Sequence, residues 1–284
     1  MQVLRVYQSL WAMEQRIPGQ PEASMREHFA RIRAAGYDGV CIDLAAHEIP
    51  EFRAARPLYE EFGLGCMINA FPHEPDELAP LLALACEFGA VQVNVIGGVM
   101  PLYEAEAVPV VRHWMAEAND AGIRLLFETH RDSLLNDLYY TLRLIDLVPE
   151  MRLCADLSHF VVDRELRLPL PERDARYMRR ILERADCFQG RVANREQVQV
   201  QIDFPQHQEW VAQFRDWWTE GMRLWRARSA PDAELVFLCE LGPRPYAITD
   251  GEQRELSDRW AEALTIREWV REIWRKLDEE TADA

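Results

Sequence analysis

The sequence has no CxxC pair, no secretory layout at its N-terminus, no unbroken apolar run long enough to cross a bilayer and no excess of positive charge. Each absence removes a class. Without paired spacing, the six cysteines (Cys41, Cys66, Cys86, Cys154, Cys187 and Cys239) do not make a zinc or disulfide framework. Five of them sit inside apolar strand-like runs and read as small buried hydrophobes of a reducing compartment. The opening MQVLRVYQSLW lacks the basic-then-apolar-then-small order of a signal peptide. The richest apolar stretch, Leu78 to Met100, is interrupted by Glu87, Gln92 and Asn94, so no membrane partner is expected and the default location is the cytoplasm. A formal net charge of −16 repels phosphate backbones and argues against nucleic acid as a partner. The glycines of VIGGV (Gly97, Gly98) lie in no GxGxxG or Walker pattern and read as a tight turn. No linker or compositional shift divides the 284 residues, which are 49% hydrophobic, so one domain around one large core is expected.

What is present is alternation. Eight short apolar or β-branched runs are separated by segments of helical period: VLRVYQSL (3–10), GVCIDL (39–44), GLGCMINA (63–70), VQVNVI (91–96), RLLFET (124–129), RLCADL (152–157), CFQGRV (187–192) and LVFLCEL (235–241). The helical segments SMREHFARIRAAG, ELAPLLALACEFG and VPVVRHWMAEANDAG each close on a glycine that can take the left-handed conformation ending a helix. Near-continuous apolar strands imply burial on both faces, and eight strand–helix units point to a closed barrel, because open parallel sheets commonly use fewer strands. The expected fold is a single-domain (β/α)8 TIM barrel over residues 1–284. An amphipathic C-terminal helix from Arg254 to Lys276 seals it, and the closing DEETADA is a frayed acidic tail.

All strand C-termini of such a barrel face one end, where their loops enclose one pocket. Four runs end there on residues suited to a metal ion: Glu128, Asp156, Gln189 and Glu240. His130 and Arg131 follow Glu128, His159 follows Asp156, Arg191 and Arg195 follow Gln189, and the rigid GPRP follows Glu240. The long gap between Gln189 and Glu240 leaves surplus chain at Ala193 to Gln208, which reads as a lid or substrate-contact loop.

The phrases ETHRDSLLND, CADLSHF, GRVANREQVQVQIDFPQ and CELGPRPY resemble the xylose isomerase-like TIM-barrel superfamily, in particular its bacterial sugar phosphate isomerase/epimerase-like branch. The resemblance implies a divalent metal held by Glu128, Asp156, Gln189 and Glu240, with Gln189 standing where the family pattern has histidine. A glutamine oxygen suits Mg²⁺ or Mn²⁺ better than Zn²⁺, so the expectation is a hard-ion site, weaker than the family's or empty. The implied activity is isomerisation or epimerisation of a sugar or sugar phosphate through an enediolate. Glu128 and Glu240 then pass the proton, while His159, His130, Arg191, Arg195 and Trp11 contact the small polar substrate. Two other readings fit the same residues: a repurposed metabolite-binding barrel, supported by the missing histidine, and an endonuclease IV-like phosphodiesterase, opposed by the acidic charge.

The remaining conspicuous residues have plainer readings. His47, His73 and His113 have no partner motif, and Asp43 ends the second strand inside the barrel mouth, with an arginine pair as its plainer reading. Trp210, Phe214, Trp217, Trp218 and Trp225 recur at helical spacing and pack the seventh helix on the barrel or on a second copy, which leaves a homo-oligomer open.

Overall fold

The computed structural model describes residues 1–282. Eight parallel strands close on themselves in chain order: β1 (Val3–Ser9), β2 (Gly39–Leu44), β3 (Gly65–Ala70), β4 (Val93–Val95), β5 (Leu125–Glu128), β6 (Leu153–Ala155), β7 (Ala185–Gly190) and β8 (Glu234–Cys239). The last strand pairs with the first, Val3 opposite Glu234 through Gln8 opposite Cys239. This is a (β/α)8 TIM barrel, as the alternation of the sequence implies.

Local sequence accounts for the element ends. The first long helix (Met25–Ala34) starts in a capping box, with the Ser24 hydroxyl accepting from the Glu27 amide and the Glu27 carboxylate accepting from the Ser24 amide. The helices Leu78–Phe88 and Glu104–Ala121 stop at Gly89 and Gly122, whose φ values of 61° and 68° are strained for any residue with a Cβ.

Two apolar layers hold the barrel. Inside it, Tyr7, Cys41, Met67, Leu126, Cys154, Cys187, Val236 and Leu238 form a plug that closes the lower barrel to water. Outside it, helices pack on the strands, and the stripe of helix Gln208–Arg228 faces inward. Phe214, Trp217, Trp218 and Trp225 are buried there, Trp218 meeting Phe237 of β8 edge to face at 5.3 Å. Truncating such a tryptophan to alanine costs about 3–5 kcal/mol. Five cysteines are buried and free, and Cys86 is exposed.

The C-terminal helix runs Arg259–Ala282, later at both ends than expected. Asp258 caps its start by accepting from the amides of Trp260 and Ala261, which shortens the N-terminal end. Helix also continues through most of DEETADA, and residues 283 and 284 lie outside the described residues. No described helix is long and apolar enough to cross a membrane.

Candidate active site

Side chains of a strand alternate faces, so the residue two places beyond a plug residue also points into the barrel. On seven strands that next inward residue is polar: Ser9, Asp43, Asn69, Glu128, Asp156, Gln189 and Glu240. Just before β4 Gln92 takes the plug position, its amide 3.8 Å from Met67 Sδ, and Asn94 on β4 completes the ring. The barrel is thus apolar below and carries one polar residue per strand above.

The second half of this ring gathers the acids. Oxygens of Glu128, Asp156 and Glu240 lie within 4.8 Å of one another, and all three residues are buried. Arg191, only 2% exposed, enters between two of them, its Nε 3.3 Å from Asp156 Oδ2 and its Nη2 3.2 Å from Glu240 Oε2. The guanidinium also stacks over Tyr246 at 4.7 Å and Trp11 at 5.9 Å. The Gln189 amide nitrogen donates to Glu128 Oε2 at 2.5 Å. Asp156 caps the short helix Leu157–Asp163 by accepting from the Ser158 amide at 3.0 Å.

These surroundings split the acidities of like groups. Burial, joined by the charges of Glu240 and Asp156, holds the Glu128 carboxyl well above its ordinary range. Burial does the same to Glu240, against the opposing pull of Arg191. Burial would raise Asp156 as well, but Arg191, His159 and Ser158 outweigh it and hold that carboxyl below its ordinary range. His130 is pushed down to about 3, chiefly by burial and then by its neighbour His159. Its ring is therefore neutral at physiological pH.

A cavity of roughly 270 Å³ opens above the acids, lined by Trp11, Asp43, Phe71, Ile96, Glu128, His130, Arg191, Glu240 and Tyr246. Of the residues expected to touch substrate, Trp11, His130 and Arg191 line it. His159 does not; it is fully buried behind His130, ring centroids 3.9 Å apart, with Nε2 3.4 Å from Asp156. Arg195 is turned away at the surface, its Nη2 2.5 Å from Glu165 and its Nε 3.5 Å from Glu196. The segment Ala193 to Gln208 is pinned rather than free. The Gln199 side chain exchanges two hydrogen bonds with the Gly242 backbone, and Ile202 donates to Glu262.

Asp43 lies at the barrel mouth as its position at the end of β2 implies, whereas Phe71, Ile96 and Tyr246 escaped the sequence reading. Among the described residues Asp43 forms no ion pair with an arginine; it accepts from Asn69 and Ser9. Tyr246 meets Trp11 at 5.2 Å edge to face and lies 3.4 Å from His130 Nε2 through its hydroxyl. It follows a proline-rich turn and has no sequence signal beyond the phrase CELGPRPY.

The acid cluster suits a hard divalent ion. Gln189 Oε1 is buried without a hydrogen-bond partner, Asp156 Oδ2 and Glu240 Oε2 are held by ion-pair contacts alone, and with Glu128 they make an all-oxygen donor set.

No protein-family model and no curated protein sequence matches the chain. Solved structures do. It is similar to a xylose isomerase-like TIM barrel protein from Mycobacterium smegmatis in complex with magnesium, at 16% identity and a TM-score of 0.61, covering 95% of this chain and 96% of that one. The fold is that of the xylose isomerase-like TIM barrels. A D-allulose 3-epimerase from Methylomonas sp. in complex with D-allulose shares this fold at 13% identity and a TM-score of 0.62, covering 95% and 97% of the two chains. A probable 3-DHS dehydratase from Bacillus anthracis shares it at 13% identity and a TM-score of 0.55, covering 83% and 92%. Xylose isomerase-like barrels thus host more than one reaction, and the chemistry has to be argued from the site.

Proposed function

We propose that this xylose isomerase-like barrel is an isomerase or epimerase of a small sugar, in which Glu128 and Glu240 pass a proton at the carbon beside a carbonyl. The observation that carries the reading is the pair itself. Two carboxyls face one cavity, both held above their ordinary range, while Asp156 beside them stays ionised. Two like charges at one cavity do not both ionise freely, so one glutamate stands as the carboxylate while the other keeps its proton. In its carboxylate form one glutamate removes the proton from carbon, and in its acid form the other returns one, so that a two-glutamate relay interconverts the products.

Arg191 faces the same cavity and offers N–H donors to the oxygen on which charge develops, a term worth several kcal/mol where water is excluded. His130, kept neutral, orders a substrate hydroxyl together with Tyr246. A divalent ion held by Glu128, Asp156, Gln189 and Glu240 would supply Lewis-acid polarisation of the substrate oxygens. Schiff-base chemistry has no nucleophile here. Lys276 is the sole lysine of the sequence, and it lies on the C-terminal helix paired with Glu272 at 2.7 Å.

The test is solvent exchange. Protein supplied with Mn²⁺ is incubated in D₂O with a panel of ketopentoses, ketohexoses and their terminal phosphates, and deuterium beside the carbonyl is followed by NMR. Exchange with at least one sugar is expected. No exchange with any of them overturns the reading, and loss of water without exchange replaces it with an elimination.

A further inference from the structure

The first half of the polar ring, on β1 to β4, has no part in the proton transfer. It is nonetheless built with care. The Asn69 amide donates to Asp43 Oδ1 at 2.8 Å, the Asn94 amide donates to Asn69 Oδ1 at 3.1 Å, and the Gln92 amide donates to Asn94 Oδ1 at 3.1 Å. From the other side the Ser9 hydroxyl donates to Asp43 Oδ2 at 3.3 Å. Every donor in this chain points toward Asp43, which fixes all three amides in one orientation.

Such a chain is a costly way to fill a barrel. Asn69, Asn94 and Gln92 are fully buried, and Gln92 Oε1 is left without a partner at the far end. A buried polar atom without a partner costs about 1–3 kcal/mol, and apolar side chains of similar size would pack there without that loss. The cost is borne by the half of the ring that ends at a carboxylate lining the cavity.

We propose that Asp43 is the specificity-determining anchor for the hydroxyl end of the substrate, and that it selects an uncharged sugar over the same sugar carrying a terminal phosphate. The proposal rests on the sugar isomerase reading for the direction of the substrate: reacting carbon at Glu128 and Glu240, hydroxyls toward Asp43. Each Asp43 oxygen takes one protein donor, and a carboxylate has about four lone-pair sites, so acceptor capacity remains for substrate O–H groups. A phosphate has no such welcome. Among the described residues lining the cavity Arg191 is the one arginine, and it is engaged at the reacting end, by Asp156, Glu240 and the substrate oxygen beside the carbon that loses its proton. An anion brought to Asp43 therefore meets like charge with no free counter-charge beside it.

The experiment compares wild type, Asp43→Asn and Ser9→Ala. With a ketose that exchanges, Asp43→Asn is expected to raise KM about tenfold or more while kcat stays within about threefold, the signature of a lost charge-assisted hydrogen bond in binding. Ser9→Ala, which loosens one donor and removes little volume, raises KM by a smaller factor. It keeps the proposal testable if Asp43→Asn melts early. The preference for the free ketose over its phosphate should narrow at least tenfold in Asp43→Asn.

Binding separates this idea from the proton-transfer reading. Saturation-transfer NMR with D-fructose and D-fructose 6-phosphate needs no turnover. If no sugar exchanges but fructose binds wild type and not Asp43→Asn, the anchor stands and the isomerase reading fails. Unchanged KM and binding in Asp43→Asn, a wild type that prefers the phosphate, or a wild type that binds no free ketose each overturn the anchor.

Discussion

Replacing Arg191 by methionine tests the electrostatics of the acid cluster directly. The guanidinium is buried, 3.3 Å from Asp156 and 3.2 Å from Glu240, and methionine keeps most of its apolar length while removing the charge. At an effective dielectric constant of about 20, opposite unit charges at this separation attract by about 5 kcal/mol, and desolvation cancels part of that. Breaking a buried ion pair from one side costs about 3–5 kcal/mol, because the partner is left uncompensated. For a chain of this size that corresponds to a fall of about 5–8 °C in the melting temperature of metal-free protein.

The same change should favour a divalent ion. The oxygens that Arg191 contacts are among those that would ligate it, so ion and guanidinium compete for Asp156 and Glu240. Arg191→Met is therefore expected to bind Mn²⁺ at least about tenfold more tightly by calorimetry, an apparent gain of about 1.4 kcal/mol, and to recover stability on adding it. Scans of EDTA-treated and Mn²⁺-supplied protein read both effects. A metal-free variant that melts with the wild type, or one that binds Mn²⁺ no more tightly, refutes the reasoning.

Glu240→Gln should lower kcat by at least about a thousandfold in the D₂O exchange assay while leaving the circular dichroism spectrum unchanged; full residual activity removes it from the proton relay. Glu262 is pushed up to about 7, chiefly by burial, so the folded state holds its proton longer than the unfolded chain and stability falls as pH rises from about 4.5 to 7. Glu262→Gln, which can still accept from Ile202, should be more stable than wild type at pH 8 by about 1–3 kcal/mol and equal to it below pH 4.5. A Cβ at Gly242 would run into the Trp11 ring and meet Tyr246 Cβ at 2.9 Å. Gly242→Ala should cost about 1–3 kcal/mol by denaturant unfolding and lower kcat/KM by displacing two cavity walls.

The barrel was legible because its signals are local. Each strand is an apolar run, and glycines such as Gly89 and Gly122 end helices at the boundaries they announce. Ends were less legible where few residues pair: β4 spans only Val93–Val95, since strand length here follows neighbours rather than the run VQVNVI. Glu128, Asp156 and Glu240 could be expected to converge because all three end strands of one barrel. Asn69 and Asn94 could not be distinguished from incidental polar residues in apolar runs. Their meaning lies in hydrogen bonds to neighbours across β2, β3 and β4, which no spacing records. Arg195 illustrates the converse. Its sequence position beyond β7 suited a substrate contact, but Glu165, thirty residues earlier in the chain, holds it at the surface.

Lys276 has a practical consequence for handling this protein. Helices of a TIM barrel run antiparallel to its strands, so the late turns of Arg259–Ala282 lie beside the strand N-termini, at the face away from the cavity. Apart from the α-amino group, amine-reactive dyes, biotin esters and activated resins have one side chain to attack. Coupling through it would present every molecule with its cavity mouth outward, leaving the acid cluster free for titration on a surface.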